Sequence, residues 1–422
     1  MKRALVFVPH KPWPPRFGAH KRYLETIAGL KALGFKITLA SSNASTDLKW
    51  DTESAESLKQ RWVDEVHVHQ PTMADYKFIH RLKSFYDLDY SLIPVLRRLH
   101  LIGERESPLN SRVHTLPSMR RWFKQLAEQT SPDLIFLNYA FWDPLVDHQS
   151  MQSVTRIMET IDLLSLNRRM WQALAKRLPA PPINPADVTD EVLQEDFFQK
   201  LKLVVDPEEF RIYDRYNYTI AISQQEAQII KKNTSQTQVV HIPMTQEPVD
   251  IANDYSGPAL FPTGPNHYNT QGYLYFVRRV LPLVRAKEPS FCLQVTGHSS
   301  TQVLPADGVL LSGFVPSMEP LYKSARFLVC PVFGGTGQQV KVVEAMAHGV
   351  PAVALRVAAD RSPIQHEVNG MIANNAEEFA EHVLRLWKDP KLCAQLGDAA
   401  RKTVAQEFSP TRLVEALSIM VQ

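Results

Sequence analysis

Three glycines within four residues, Gly334, Gly335 and Gly337, separate an apolar run at 327–330 from a helical pattern that stops at Gly349, and Pro351 opens the next apolar run. Strand, glycine turn, helix, glycine stop and strand is the punctuation of a parallel α/β sheet, in which each strand returns to the next through a helix. The N-terminus follows the same plan. Residues 4–8 are apolar, too short a run for the ~7–15 of a signal-peptide core and suited to a buried parallel strand. A proline-rich loop, 9–17, and Gly18 follow. Tyr23, Ile27, Ala28 and Leu30 then recur at helical spacing between about 22 and 33, Gly34 stops the helix, and 37–40 is the next strand.

Short apolar runs at 66–69, 134–137, 157–161, 219–222 and 239–242 predict further strands, and 244–257 reads as a polar linker. A second α/β unit has strands at 260–263, 291–296, 309–311, 327–330 and 352–355, a helix at 273–284 and a helical end from 376. The expected fold is α/β, with two doubly wound Rossmann-like domains facing across a cleft. Residues 1–245 form the first, with helical insertions at about 73–127 and 163–215. Residues 246–405 form the second, and 406–422 form a helix packing back on the first. Ligands of such sheets bind where the strand ends face the cleft.

The 422 residues are 44% hydrophobic and 22% charged, which excludes a disordered or fibrous chain. Lys and Arg number 47 against 44 Asp and Glu, a net +3 that argues against a dedicated nucleic-acid partner. Three cysteines, Cys292, Cys330 and Cys393, are too few and too scattered for a disulfide framework or a zinc site, so a cytoplasmic setting is expected. No run approaches the ~18 apolar residues of a membrane span.

The loop at 334–337 brings bare N–H groups to a helix start, which suits a phosphate. Lys341 and Glu344, three apart, share a helix face. The lysine can neutralise a diphosphate, and the carboxylate can accept both hydroxyls of a ribose. The residues alone leave open a surface Lys–Glu pair on a helix that merely needs glycine to turn.

This stretch reads Lys341-Val-Val-Glu344-Ala345-Met346-Ala347-His348-Gly349-Val350-Pro351-Ala352-Val353-Ala354, and it resembles the K-x-x-E-A-M-A-x-G-x-P-x-V-A pattern of GT-B glycosyltransferases, most of all retaining family four (glycosyl transferases group 1). FVPHKPWPPRFGAHKRYLETIAGLKALGFKITLAS, YNYTIAISQQEAQII and LFPTGPNHYNTQGYLYFVRRVLPLVRAKEPSFCLQVTG resemble the family's N-terminal unit, domain-closing strand and donor-domain opening. The resemblance implies a C-terminal domain that binds a nucleotide-sugar donor and an N-terminal domain that receives a glycan or lipid-linked acceptor. It assigns Glu344 to the nucleotide ribose, Gly335, Gly337 and Gln338 to donor contacts by the loop, and Phe314 and Val315 to the base. Gly264 and Asn266 fall in the phosphate-side loop, His298 near the donor at a strand end, and Gly18 in the N-terminal loop facing the diphosphate.

Three departures bear on activity. Thr336 stands where many members carry the first glutamate of a Glu-x7-Glu pair. The loop Gly264-Pro265-Asn266-His267-Tyr268-Asn269 lacks the usual Arg and Lys, so charge neutralisation falls on Lys341 and the helix end, with Arg356, Arg361, His267 or Arg16 as further candidates. Asn138-Tyr139 replaces a frequent histidine. The expected reaction is glycosyl transfer with retention, the departing phosphate taking the acceptor proton, with no metal or other cofactor; the catalytic candidates are Gly18, Asn138, Asp162 and Lys341. Asp162 ends a strand and suits either an acceptor contact or a helix cap. A sugar-nucleotide epimerase and a non-catalytic scaffold share the fold and stay open.

Asp87-Leu88-Asp89 and His67-Val68-His69 have metal-like spacing but lack further ligands nearby, and read as a solvated pair and a strand face. In 73–127, Arg97, Arg98, Arg105, Arg112, Arg120, Arg121 and Lys124 alternate with aromatics. That mixture suits peripheral contact with the inner face of a membrane, or equally a solvated helix face.

Overall fold

Ala4, Leu5, Val6 and Phe7 are at most 1% exposed, as a strand covered on both faces requires. They form β1 (Arg3–Phe7), an interior strand of a parallel sheet with β2 (Lys36–Ser42), β3 (Glu65–His69), β4 (Leu134–Asn138), β5 (Thr155–Glu159), β6 (Tyr218–Ala221) and β7 (Gln238–His241). The order is β3-β2-β1-β4-β5-β6-β7, with Ala4 opposite Ile37 on one side and Leu134 on the other. A second parallel sheet holds β8 (Ala259–Thr263), β9 (Leu293–Gly297), β10 (Val309–Leu311), β11 (Leu328–Cys330), β12 (Ala352–Leu355) and β13 (Met371–Ala373), in the order β10-β9-β8-β11-β12-β13. The molecule, a computed structural model describing residues 1–15, 18–44, 49–77 and 115–421, is thus two doubly wound α/β domains. Arg16, Asp87, Asp89 and most of the basic aromatic stretch lie outside the described residues.

Several boundaries differ from the sequence reading. The first helix, Gly18–Ala32, begins at Gly18 rather than near residue 22, so Gly18 is a helix start and not a free loop glycine. The helix expected at 273–284 begins at His267, where the Asn266 side chain caps it by accepting from Asn269 N–H at 3.0 Å, and it widens into a π-helical stretch at Phe276–Val280. Strand β13 was not expected; its three residues, Met371-Ile372-Ala373, are too short for a periodicity to register.

Two segments cross between the domains. The helix Pro410–Met420 places Leu413, Leu417 and Met420 in the N-terminal core, where Leu417 lies 2.7 Å from the position a Cβ on Gly29 would take. The segment following β5, read from sequence as an N-terminal insertion, keeps its two ends in the N-terminal core through Leu163, Val205, Ile212 and Tyr213, while its middle packs on the C-terminal sheet. Met170, Leu174, Ile183, Val188, Val192, Leu193 and Phe197 share one core with that domain. Ile183 bridges Val303, donating to Gln302 O at 2.8 Å while its carbonyl accepts from Leu304 N–H at 2.9 Å. Gln271 Nε2 holds the Val192 carbonyl and Tyr275 OH donates to Glu195. The alternation of prolines and short apolar groups in this segment matches a strap laid over a neighbour, a pattern with no period of its own to reveal what it covers.

Candidate functional site

The glycine loop between β11 and the helix Val340–Ala347 lies at the ends of the second sheet's strands, as a parallel sheet predicts for a ligand-facing turn. Gly335 and Gly337 have φ of +91° and +74°, conformations that favour glycine. The loop is seated against the N-terminal domain. Thr336 Oγ1 donates to Asp162 Oδ1 at 2.8 Å, and Gly337 N–H donates to Glu226 Oε1 at 2.9 Å. A Cβ on Gly337 would stand 2.7 Å from the Ile161 carbonyl, and one on Gly334 would stand 2.4 Å from both the Phe198 and Tyr268 rings. The sequence predicted that Gly337 N–H meets a donor; in this structure it meets a carboxyl group of the opposite domain.

In the sequence Glu226 follows Ser223 by three residues, the spacing of a helix capping box. Ser223 does cap the helix Gln224–Asn233, accepting from Glu226 N–H, but the Glu226 side chain turns to the interface, where Oε1 also accepts from Leu163 N–H at 2.9 Å. Its Oε2 is buried without a hydrogen-bond partner among the described residues. Burial pushes Glu226 up to about 8, reinforced by the charge of Asp162, while the two N–H bonds and Arg361 oppose the shift. Burial likewise holds Asp162 up at about 6 against its bond to Thr336 and the nearby Arg361. Arg361, 4% exposed, lies beneath the loop: its guanidinium donates to the carbonyls of Gly334 at 3.0 Å and of Thr336 and Val357, each at 3.2 Å.

Lys341 points inward. Its Nζ donates to Asn269 Oδ1 and lies 4.8 Å from the Phe261 ring centroid, and burial pulls its ammonium down to about 8. Asn269 in turn donates to the Gly264 carbonyl at 3.2 Å, so lysine, asparagine and the Gly264 turn form one chain linking the two donor-side loops. Gln338 uses its side-chain oxygen to accept from Met244 N–H at 2.8 Å. Glu344 is half-buried, and its carboxylate makes no hydrogen bond or ion pair among the described residues. Burial raises its pKa, while Lys21 of the opposite domain and His348 lower it.

Phe314 is 85% exposed beyond Gly313, whose φ of +66° turns the chain outward, and Val315 is half-buried. His298 is exposed at the end of β9, and its charge helps to depress the nearby His267, which burial lowers first. His267 stacks on Trp171 of the strap at 4.9 Å. Arg356 is exposed and donates to Asn374 Oδ1 at 3.3 Å. Gly18, exposed at its helix start, has the Met244 methyl 3.8 Å from its Cβ position.

Asn138 spends its side chain on a buried carboxylate. It is 1% exposed and donates to Glu159 Oε2 at 2.6 Å; Glu159 is in turn held by Arg22, whose guanidinium also donates to the carbonyls of Ile242 and Pro243. This buried ion pair ties the first helix to β4, β5 and the exit from β7. Tyr139, the next residue, has a φ of +68° and hydrogen-bonds Tyr23, and burial raises its hydroxyl far above the usual range. His69 spends both ring nitrogens on Ser42 and Ser118, and His67 pairs with Glu65. Among the described residues no group of three or more His, Cys, Asp or Glu could hold a metal ion.

Residues 258–389 match the family described as glycosyl transferases group 1. An uncharacterized 44.6 kDa protein in the cps region of Klebsiella pneumoniae is 17% identical over 161 residues; the match covers 35% of this chain and 42% of that protein, less than half its length. Among solved structures, sucrose-phosphate synthase from Thermosynechococcus elongatus superposes with a TM-score of 0.60 at 15% identity, covering 100% of this chain and 98% of that one. A TarM variant from S. aureus in complex with fondaparinux, alpha-GlcNAc-glycerol and UDP gives 0.61 at 11% identity, with 100% of both chains covered. Anabaena HepE in complex with UDP and glucose gives 0.53 at 13%, covering 100% and 99%. At these identities the superpositions establish the fold: two Rossmann-like domains in the GT-B arrangement.

Proposed function

We propose that this chain, whose residues 258–389 match the group 1 glycosyl transferases, moves a sugar from a nucleotide-sugar donor to a hydroxyl of a glycan, glycolipid or other glycoconjugate, with retention at the anomeric carbon and without a metal. The observation that carries the reading is Glu344, a half-buried carboxylate left unengaged on the helix that follows the glycine loop, with Lys21 across the domain boundary. UDP is the first nucleotide to try, because it is bound in both the TarM and the HepE complexes.

In this reading the ribose hydroxyls donate to Glu344, and the exposed Phe314 offers a flat apolar surface to the base. The acceptor hydroxyl attacks on the face from which the diphosphate leaves, and the leaving phosphate takes its proton. The protein's part is to position the reactants and stabilise the developing phosphate charge. Asp162, half-buried in the turn after β5 and bonded to Thr336, stands where the two domains meet and contacts the transferred sugar or the acceptor once the loop is occupied.

The seating of Thr336 and Gly337 on two carboxyl groups favours a second reading, a scaffold of the same fold that never takes a donor. Incubation with UDP-, GDP-, ADP-, CMP- and dTDP-linked sugars separates the two. Transfer or slow hydrolysis of one donor, with the anomeric configuration kept in any product, supports the enzyme. No binding and no turnover with any of them sinks it.

A further inference from the structure

The donor-side loop at Gly264–Asn269 carries no arginine or lysine, and Lys341 is turned inward to Asn269. Under the glycine loop the buried Arg361 guanidinium has, among the described residues, no hydrogen-bonded carboxylate of its own. All its assigned bonds go to main-chain carbonyls, those of Gly334, Thr336 and Val357. The backbone of the same residue is also engaged, since Gln339 N–H donates to the Arg361 carbonyl at 3.0 Å. Side chain and main chain of one residue thus hold both ends of the loop.

The geometry has a directional consequence. Drawing the Gly334 and Thr336 carbonyls inward turns the N–H of the same peptide group, carried by the following residue, the other way, because the C=O and N–H of a planar trans peptide point in opposite directions. The Thr336 carbonyl and the Gly337 N–H belong to one peptide: the first bonds Arg361 at 3.2 Å, and the second bonds an oxygen of Glu226 at 2.9 Å. The outward N–H therefore already takes a carboxyl oxygen, in the place where an incoming phosphate oxygen would bind.

We propose that Arg361 is a positioning residue of the donor site: it fixes the Thr336–Gly337 peptide so that Gly337 N–H is presented to an oxyanion, and it supplies from beneath the loop the positive charge that the Gly264–Asn269 loop lacks. The proposal rests on the reading that the glycine loop receives the donor diphosphate. A lysine cannot replace Arg361, because one ammonium does not span two carbonyls in the plane that a guanidinium fits.

The test uses the whole chain. UDP, GDP, ADP, CMP and dTDP are titrated calorimetrically into the wild type, Arg361→Ala and Arg361→Lys, with and without guanidinium ion at tens of millimolar, alongside thermal melts. The expected result is one nucleotide bound by the wild type, at least about tenfold weaker binding by both variants, and recovery of the alanine variant by added guanidinium. In turnover, donor KM is expected to rise more than kcat falls. Alanine-variant affinity within twofold of the wild type overturns the proposal. So does a loss that guanidinium leaves unrelieved while the melting point falls, since that marks Arg361 as structural only. Where the alanine variant does not fold, the lysine variant decides: unchanged affinity overturns the proposal. A wild type that binds none of the nucleotides refutes the donor reading itself, which is a different result from a wild type and variant that bind alike.

Discussion

Glu226→Gln tests the interface without any assumption about substrate. The Glu226 carboxyl is 2% exposed, and its ordinary value of 4.5 is raised to about 8 by burial, with Asp162 adding to the shift. The folded state therefore keeps a proton that the unfolded chain releases above 4.5. The stability this contributes is fully present below 4.5 and is lost as pH rises through about 8, at ~1.4 kcal/mol per unit, roughly 5 kcal/mol at most over the window. The groups facing it are Asp162, itself held up at about 6, the Arg361 guanidinium, and the buried Tyr213. Glutamine keeps the oxygen that accepts from Leu163 and Gly337 but places an amide where Oε2 has no partner, a cost of about 1–3 kcal/mol. The variant is thus expected to be less stable than the wild type at pH 5 and more stable by about 2 kcal/mol at pH 8.5. Urea titrations at pH 5, 6, 7 and 8.5 read the difference directly. A wild-type-minus-variant difference that stays constant across that range refutes the reasoning.

Four further outcomes are expected. Glu344→Ala weakens binding of the true nucleotide by about 1–3 kcal/mol, the loss of charge-assisted hydrogen bonds, and calorimetry showing equal affinity counts against the ribose role. Gly337→Ala forces a side chain to within 2.7 Å of the Ile161 carbonyl at a φ of +74°, so it is expected to cost about 1–3 kcal/mol in a urea titration. Leu417→Ala empties a fully buried contact between the last helix and the first, with an expected loss of about 2–5 kcal/mol and a lower melting point. Prolonged chelation leaves turnover intact; complete loss restored by manganese would contradict the metal-free mechanism.

The domain plan was legible because it rests on short-range signals. Buried parallel strands read as apolar runs, and Gly34 and Gly349, with φ of +81° and +71°, stop helices where the chain says they should. Lys341 and Glu344 were found from a spacing of three, but the spacing fixes only a shared helix face, not a shared direction. Packing sent the lysine to Asn269 and left the glutamate unengaged. What the sequence concealed depends on contacts far along the chain. Glu226 lies 111 residues from Gly337 and looks locally like a capping residue. Asn138 stood in for a catalytic histidine by position alone, whereas its partner, Glu159, comes from the neighbouring strand.

The strap after β5 changes how the cleft can move. After Leu163, which stays in the first domain's core, the chain is anchored to the second domain by the Tyr268 bond to Asn167 and the Ile183–Val303 bridge, and it rejoins the first core at Val205 before entering β6 at Tyr218. With the linker after β7 and the turn before Pro410, it forms a further connection that any rigid rotation of the domains must accommodate. A rotation that opens the cleft has to break Thr336–Asp162 and Gly337–Glu226 while Leu163 N–H stays tied to the same Glu226 oxygen. The residues that seat the glycine loop are therefore also those at the strap's departure point. In the donor reading an anion at Gly337 N–H takes the place of the Glu226 carboxyl group, so occupancy of the loop and its seating on the first domain compete for the same N–H donor.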